Sequence, residues 1–119
     1  MGEHANNHFV LDLSALQQLR LEDLLKSFTG LQSWNDLLTL SELTGKVSLS
    51  LETKSLYTVR TFDDGRTLMD LSKMNDQVQH IELSSAEKRM LLRTINESVS
   101  KLTCADVEWI SSIRRQVAE

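Results

Sequence analysis

The apolar residues near the beginning of this chain repeat at helical spacing in two stretches. An apolar stripe predicts a first helix from about Ser14 to Phe28, which Gly30 ends. Ser33 can cap a second helix, with Gly45 as its terminator. The apolar positions are Leu16, Leu19, Leu24, Leu25 and Phe28 in the first helix and Trp34, Leu37 and Leu38 in the second, with Leu40 and Leu43 as further candidates.

Two more helices are predicted near the other end of the chain. Ser84-Ser85-Ala86-Glu87 is a capping-box pattern, which opens a helix that extends to about Leu102. Thr103-Cys104-Ala105-Asp106 starts the last helix, and Trp109 lies beside its apolar stripe. The apolar positions are Leu91, Ile95, Val99 and Leu102 in one helix and Val107, Ile110, Ile113 and Val117 in the other.

Residues 46–83 fit two incompatible structures, of which the first is a sheet. Residues 46–52 alternate polar and apolar, as a half-buried strand does, and put Val47, Leu49 and Leu51 on one face. Residues 56–62 are rich in β-branched and aromatic side chains, which favours a second strand.

The sheet interpretation continues through a tight turn. Asp63-Asp64-Gly65 is a hairpin signal leading into Arg66–Leu71, and Gln77–Leu83 would form a fourth strand. The predicted fold is therefore α+β, with two N-terminal helices, an antiparallel β-meander and two C-terminal helices. The helices should cover one face of the sheet.

The alternative is a mainly α winged helix-turn-helix with dimerisation helices. Thr39–Leu43 would open its first helix, Ser48-Leu49-Ser50 would form the turn, and Leu51–Phe62 would be the second helix. In this arrangement the chain resembles the MarR-type winged-helix transcription regulators, whose pattern is T-L-S-E-L, a turn, an S-x-x-T helix start and a later Gly. The residues that match this pattern are Thr39–Leu43, Ser50, Thr53 and Gly65.

The resemblance to MarR-type regulators covers about residues 31–119. It extends through a wing that ends in Ile81-Glu82-Leu83-Ser84, although Asp76-Gln77-Val78 stands where that family has Asp-x-Arg. It implies a DNA-binding surface, in which four side chains face the major groove and one lies on the wing. The implied residues are Lys54, Ser55, Thr58 and Arg60 for the groove and Lys73 for the wing.

Composition favours one globular unit. We expect a disordered polar tail over residues 1–8 and a single compact domain over residues 9–119, since proline is absent and no internal repeat is evident. No apolar run approaches the roughly 20 residues that span a bilayer, so no membrane contact is expected. Cys104 is the only cysteine, which favours a reducing cytoplasmic setting.

Charge and motifs indicate a function without catalysis. The net charge is −4, which gives no general attraction to phosphate backbones. No His-Cys or His-carboxylate spacing indicates a metal site, and no phosphate loop or Ser/His/Asp set is present. His4 and His8, four residues apart, could hold a metal only in a helix, and they lie in the expected tail. We therefore expect no catalytic, metal-binding or cofactor-binding residues.

The predicted function is that of a small non-enzymatic regulatory or adaptor protein, which acts through protein–protein contacts as a homodimer. The alternative is a MarR-like DNA-binding transcription regulator, and DNA is a partner only in that case. The C-terminal helices offer more apolar surface than a small sheet covers, which favours an interface there. The candidate dimer-interface residues are Leu91, Ile95, Val99, Trp109, Ile110, Ile113 and Val117.

Overall fold

The computed structural model describes residues 8–118. The predicted tail, residues 1–8, lies outside this range except for His8, which begins the first strand. No helix within the range is long and apolar enough to cross a membrane. In chain order the elements are β1 (His8–Ser14), α1 (Ala15–Ser27), α2 (Trp34–Val47), α3 (Leu51–Tyr57), β2 (Thr58–Thr61), β3 (Thr67–Met69), α4 (Leu71–Asp76), β4 (Val78–Ser84), α5 (Ser85–Glu97) and α6 (Val107–Ala118), with 3-10 turns at Val99–Lys101 and Cys104–Asp106.

The fold is α+β, as predicted, and the four predicted helices correspond to α1, α2, α5 and α6. Ser33 and Ser84 cap their helices, since their hydroxyls accept hydrogen bonds from the third backbone amide of each helix. The predicted ends were less accurate. Gly45 lies inside α2, and α5 ends at Glu97 rather than near Leu102.

The strands form two separate two-stranded antiparallel sheets instead of one meander. β2 and β3 form a hairpin around the predicted turn, where Gly65 has a φ of +89°. The strands predicted over residues 56–62 and 66–71 are thus confirmed in their central parts. β4 also lies where the fourth strand was predicted, but it pairs with β1.

The strand predicted over residues 47–51 is wrong. Val47 ends α2, and Ser50 caps α3 by accepting a hydrogen bond from the Thr53 amide at 3.0 Å. Val47 and Leu49 are buried in different clusters, while Leu51 is 84% exposed. The alternation therefore arises from two separate burial sites and not from one face of a sheet.

The helix-turn-helix interpretation placed the turn and the start of α3 correctly, but its first helix begins at Trp34 and not at Thr39, and it was wrong for the residues after Tyr57. Its second helix was predicted to reach Phe62, whereas α3 ends at Tyr57 and a strand begins at Thr58. Residues 81–84, the predicted end of the wing, pair with β1 and not with a neighbouring wing strand. The hairpin that comes after α3 is β2–β3.

The structure contains an internal repeat that the sequence inspection missed. The first strand and the first helix both recur 70 residues later in the chain. β1 (His8–Ser14) corresponds to β4 (Val78–Ser84), and α1 (Ala15–Ser27) corresponds to α5 (Ser85–Glu97). α2 corresponds in the same way to the Cys104–Asp106 turn and α6. β1 and β4 pair about Leu11 and Ile81, which are equivalent positions, so an approximate twofold axis relates two β-α-α units.

The two units share one hydrophobic cluster, the main core. Twelve of its sixteen buried side chains form equivalent pairs 70 residues apart, some of them with different residues, as with Leu25 and Ile95. Further equivalent pairs are Leu13 and Leu83, Leu21 and Leu91, Leu40 and Ile110, Leu43 and Ile113, and Val47 and Val117.

Residues 48–77, here called the insert, connect the two units and carry α3, the hairpin and α4. Within the described range no insert side chain belongs to the main core. The insert packs against α1 through a smaller cluster. Buried Leu49, Tyr57, Met74 and Ala15 form this small cluster, with Leu16, Leu19 and Met69 packed against it.

Candidate protein-contact surface

Five of the seven side chains predicted to form a dimer interface lie in the main core. α5 and α6 direct their apolar faces inward against the other unit, so these side chains are used within the chain and are not available to a partner. The five are Leu91, Ile95, Ile110, Ile113 and Val117. Of the other two, Val99 is 63% exposed and Trp109 is partly buried, with its Nε1 donating to Asp106 Oδ1 at 2.9 Å.

The five residues that the MarR resemblance assigned to DNA all lie on the insert. Lys54 and Ser55 are on α3, Thr58 and Arg60 are on β2, and Lys73 is on α4. The insert contains four basic and five acidic residues, which gives a net charge of −1. It therefore lacks the positive footprint that phosphate contacts require.

Large exposed apolar side chains are concentrated on the insert. Of the twelve found among the described residues, five lie within residues 51–71. Leu56 is 73% exposed even though the small cluster lies directly beneath its helix. The five are Leu51, Leu56, Val59, Leu68 and Leu71, each about half exposed or more. Concentrations of exposed apolar side chains are typical of interaction surfaces.

The hairpin has an outer face that combines apolar and cationic side chains. Arg60 lies opposite Leu68, and Phe62 and Arg66 lie further along the same face because successive side chains alternate between faces. The guanidinium carbons of Arg60 and Arg66 lie 4.9 and 5.7 Å from the centre of the Phe62 ring. Aromatic and arginine side chains are the residues that most often dominate binding energy at protein interfaces.

Sequence reasoning missed this outer face. Arg60 was considered only as a DNA contact, and Phe62, Arg66 and Leu68 were not considered as site residues. The sequence does contain a signal for this face, since the four residues stand at every second position on either side of the Asp63-Asp64-Gly65 turn. Using it requires the pairing of β2 with β3, including the register shift between Thr58 and Arg60.

A second exposed apolar surface lies at the start of α2. Trp34 is 70% exposed, and Leu37 and Leu38 are also exposed. Leu37 borders a shallow groove of about 420 Å³ between α1 and α2. Apolar residues along this groove include Leu25, Phe28, Leu31 and Leu40.

The contact between α2 and α5 and the equivalent contact between α1 and α6 differ in their ion pairs. Between α2 and α5, Arg93 donates to Asp36 Oδ2 at 2.7 Å, to Glu97 Oε2 at 2.9 Å and to the Gly30 carbonyl oxygen. In the other unit the position of Arg93 is taken by Asp23, which leaves α1 and α6 without this clamp. A cleft of about 330 Å³ lies there, lined in part by Asp23, Asp106 and Trp109.

The exposed face of the β1–β4 sheet is acidic. A two-stranded ribbon has the size that a DNA major groove accepts, but Asp12 and Glu82 lie on this face and would repel phosphates. His80 Nδ1 lies 2.5 Å from Asp12 Oδ1 in an exposed pair. Residues 8–118 contain no group of three or more His, Cys, Asp or Glu side chains that could hold a metal ion.

Comparison of the chain with protein-family models, curated proteins and solved structures finds no match.

Proposed function

We propose that this protein is a non-enzymatic regulator or adaptor that acts through protein–protein contacts, as a homodimer. The observation that carries the proposal is the concentration of exposed apolar side chains on the insert. Removing apolar surface from water contributes about 25 cal/mol for each Å² that a partner covers. Arg60, Phe62 and Leu68 supply the mixture of residues that interfaces favour.

The surface at the start of α2 supports an adaptor in particular. Trp34, Leu37 and Leu38 belong to the first β-α-α unit, whereas the five exposed apolar side chains on residues 51–71 belong to the insert. Two exposed apolar surfaces on different elements allow one chain to contact two protein surfaces.

DNA binding is the second candidate function, and the hairpin favours it more than any other element does. Arg60 and Arg66 flank Phe62 on a projecting hairpin, and Lys54 lies on the preceding helix. Against this function stand the net charge of −1 on the insert and the carboxylates at the hairpin turn.

Site-specific photo-crosslinking in cells tests the protein-contact function. A photoreactive residue at position 56 should give discrete protein adducts, because Leu56 is 73% exposed on the insert. The same residue at position 115, exposed on α6, is the matched control and should give none. An absence of adducts at position 56, or equal adducts at both positions, would contradict the proposal.

A gel-shift titration with mixed duplex fragments at low and moderate salt tests the DNA alternative. We expect no shift at either salt concentration. A shift that weakens steeply with salt and is lost in Arg60→Glu or Lys54→Glu would establish the transcription-regulator function instead.

A further inference from the structure

One edge of the hairpin is regular and open. The Phe62 amide donates to the Arg66 carbonyl at 2.8 Å, and the Asp70 amide donates to the Tyr57 carbonyl at 2.8 Å. In an antiparallel pair, inward and outward backbone groups alternate along each strand. The N–H and C=O groups of Thr67 and Met69 therefore point away from β2, and among residues 8–118 no partner for them is found.

The opposite edge of the hairpin is irregular. The pairing register shifts between Thr58 and Arg60, so Val59 is an extra residue in β2. A bulge of this kind disrupts the backbone pattern that an added strand would have to match. β3 is thus the better of the two edges for strand addition.

The sequence of β3 complements itself. If β3 pairs antiparallel with a copy of itself about Leu68, Arg66 lies opposite Asp70 of the copy, and Leu68 lies opposite Leu68 of the copy. The three side chains share a face with Phe62, so the pairing joins two apolar patches and brings opposite charges together. Asp70 keeps its Oδ2 for this pair, since its Oδ1 accepts from the Lys73 amide at 3.2 Å. Arg66 keeps its two terminal nitrogens, since it is its Nε that pairs with Asp64 Oδ2 at 2.6 Å.

We propose that the hairpin binds a second copy of this chain, with β3 of each copy paired antiparallel about Leu68 in a four-stranded sheet. A two-stranded hairpin is marginal in water, and every residue of Thr58–Met69 is exposed or half-buried. Strand addition satisfies the outward backbone groups of Thr67 and Met69 and covers Leu68. The inference rests on the proposed function, because it names the partner of the same surface.

A matched pair of proline variants tests the pairing. Thr61 and Thr67 are cross-strand partners, both exposed, and the amide of neither one is bonded within the hairpin. Thr67→Pro removes a donor from the β3 edge, whereas Thr61→Pro removes one from the β2 edge. Sedimentation from about 1 to 500 µM should show a wild-type dimer. We expect Thr67→Pro to raise the dissociation constant of the dimer about tenfold or more, and Thr61→Pro to change it by less than about threefold.

A disulfide test does not depend on the proline variants being folded. In a Cys104→Ser background, Leu68→Cys should form a covalent dimer on mild oxidation, because residues directly opposite in a non-hydrogen-bonded pair have Cα atoms about 4.5 Å apart. Arg60→Cys, on the same face of β2, is the matched control and should form no covalent dimer.

Several results would overturn the inference: a monomeric wild type at about 500 µM, equal effects of the two prolines, or no excess of disulfide in Leu68→Cys over Arg60→Cys. Photo-crosslinking at position 56 separates this failure from failure of the proposed function. Adducts to other proteins from a monomeric chain would leave the protein-contact function standing, whereas no adducts at all would remove both.

Discussion

At the scale of single residues, the repeat places related side chains in different electrostatic surroundings. Gln17 and Glu87 occupy equivalent positions and both complete capping boxes, accepting from the amides of Ser14 and Ser84 at 2.9 and 2.8 Å. Glu87 Oε1 also accepts from Lys46 Nζ at 2.7 Å. Burial raises the pKa of Glu87, but Lys46 and the Ser84 amide outweigh it and hold the pKa below the ordinary 4.5.

Glu87→Gln should lower the free energy of unfolding by about 1–2 kcal/mol at pH 7, because glutamine keeps the cap, as Gln17 does, but loses the ion pair. A carboxylate whose pKa is lowered in the folded state stabilises it fully above pH 4.5 and loses this effect as the pH falls through the folded value. Urea unfolding at several pH values should show that the difference in unfolding free energy between the wild type and Glu87→Gln becomes smaller below pH 4.5. Lys46→Met should reproduce this profile, and a difference independent of pH would contradict it.

Equivalent core positions should carry similar energies. Leu21 and Leu91 are both fully buried in the main core. We expect Leu21→Ala and Leu91→Ala each to cost about 3 kcal/mol of unfolding free energy, measured by urea denaturation. Leu56→Ala, on the exposed side of α3, should change it by less than about 0.5 kcal/mol. Costs that differ by more than about 2 kcal/mol would mean that the two units do not share the core equally.

At the scale of elements, the sequence predicts what short-range chemistry determines. α2 and α5 could be predicted because Ser33 and Ser84 satisfy the first amides of helices with an apolar stripe. β1 was missed, although Phe9, Leu11 and Leu13 alternate, because its partner lies about 70 residues away and only that pairing makes it a strand. The strand predicted over residues 47–51 is absent because Val47 and Leu49 are buried in two different clusters, and this spacing looks the same in the sequence as the alternation of a single strand.

The unclamped contact between α1 and α6 predicts a stabilising substitution. Asp23 and Asp106 are equivalent to Arg93 and Asp36, so Asp23→Arg should create the missing ion pair between α1 and the Cys104–Asp106 turn that leads into α6. We expect its thermal midpoint to lie about 2–4 °C above that of Asp23→Ala, which removes the acid without adding the pair. Amide exchange in α6 should also slow in Asp23→Arg. Equal midpoints in the two variants would show that α1 and this turn are too far apart to be joined.

At the scale of the whole molecule, the structure separates a symmetric scaffold from an insert that carries the proposed contact surface. Sequence inspection could not show this division, because only three of the six equivalent core pairs are identical residues and the two units share a burial pattern more than a sequence. The candidate surface was equally hidden. An exposed leucine and a buried leucine look the same until the pairing of β2 with β3 and the packing of α4 on α1 are known.

The main core should therefore fold without the insert. Both ends of the insert meet the first turn of α1, since the Val47 carbonyl accepts from Gln18 Nε2 and the Gln77 carbonyl accepts from the Ala15 amide, each at 3.0 Å. A glycine-serine linker of about six residues in place of residues 48–77 should span them. Leu16→Gln and Leu19→Lys would be added, because the insert covers these side chains in the small cluster.

We expect this shortened chain to unfold cooperatively, with a thermal midpoint lowered by about 5–10 °C through loss of the small cluster. Circular dichroism should show the helix content of α1, α2, α5 and α6, and sedimentation should show a monomer, since the β3 edge is gone. The shortened chain that keeps Leu16 and Leu19 is the control for the two substitutions. A shortened chain with a broad transition and no ordered aromatic signal would mean that the insert is needed to align the two β-α-α units.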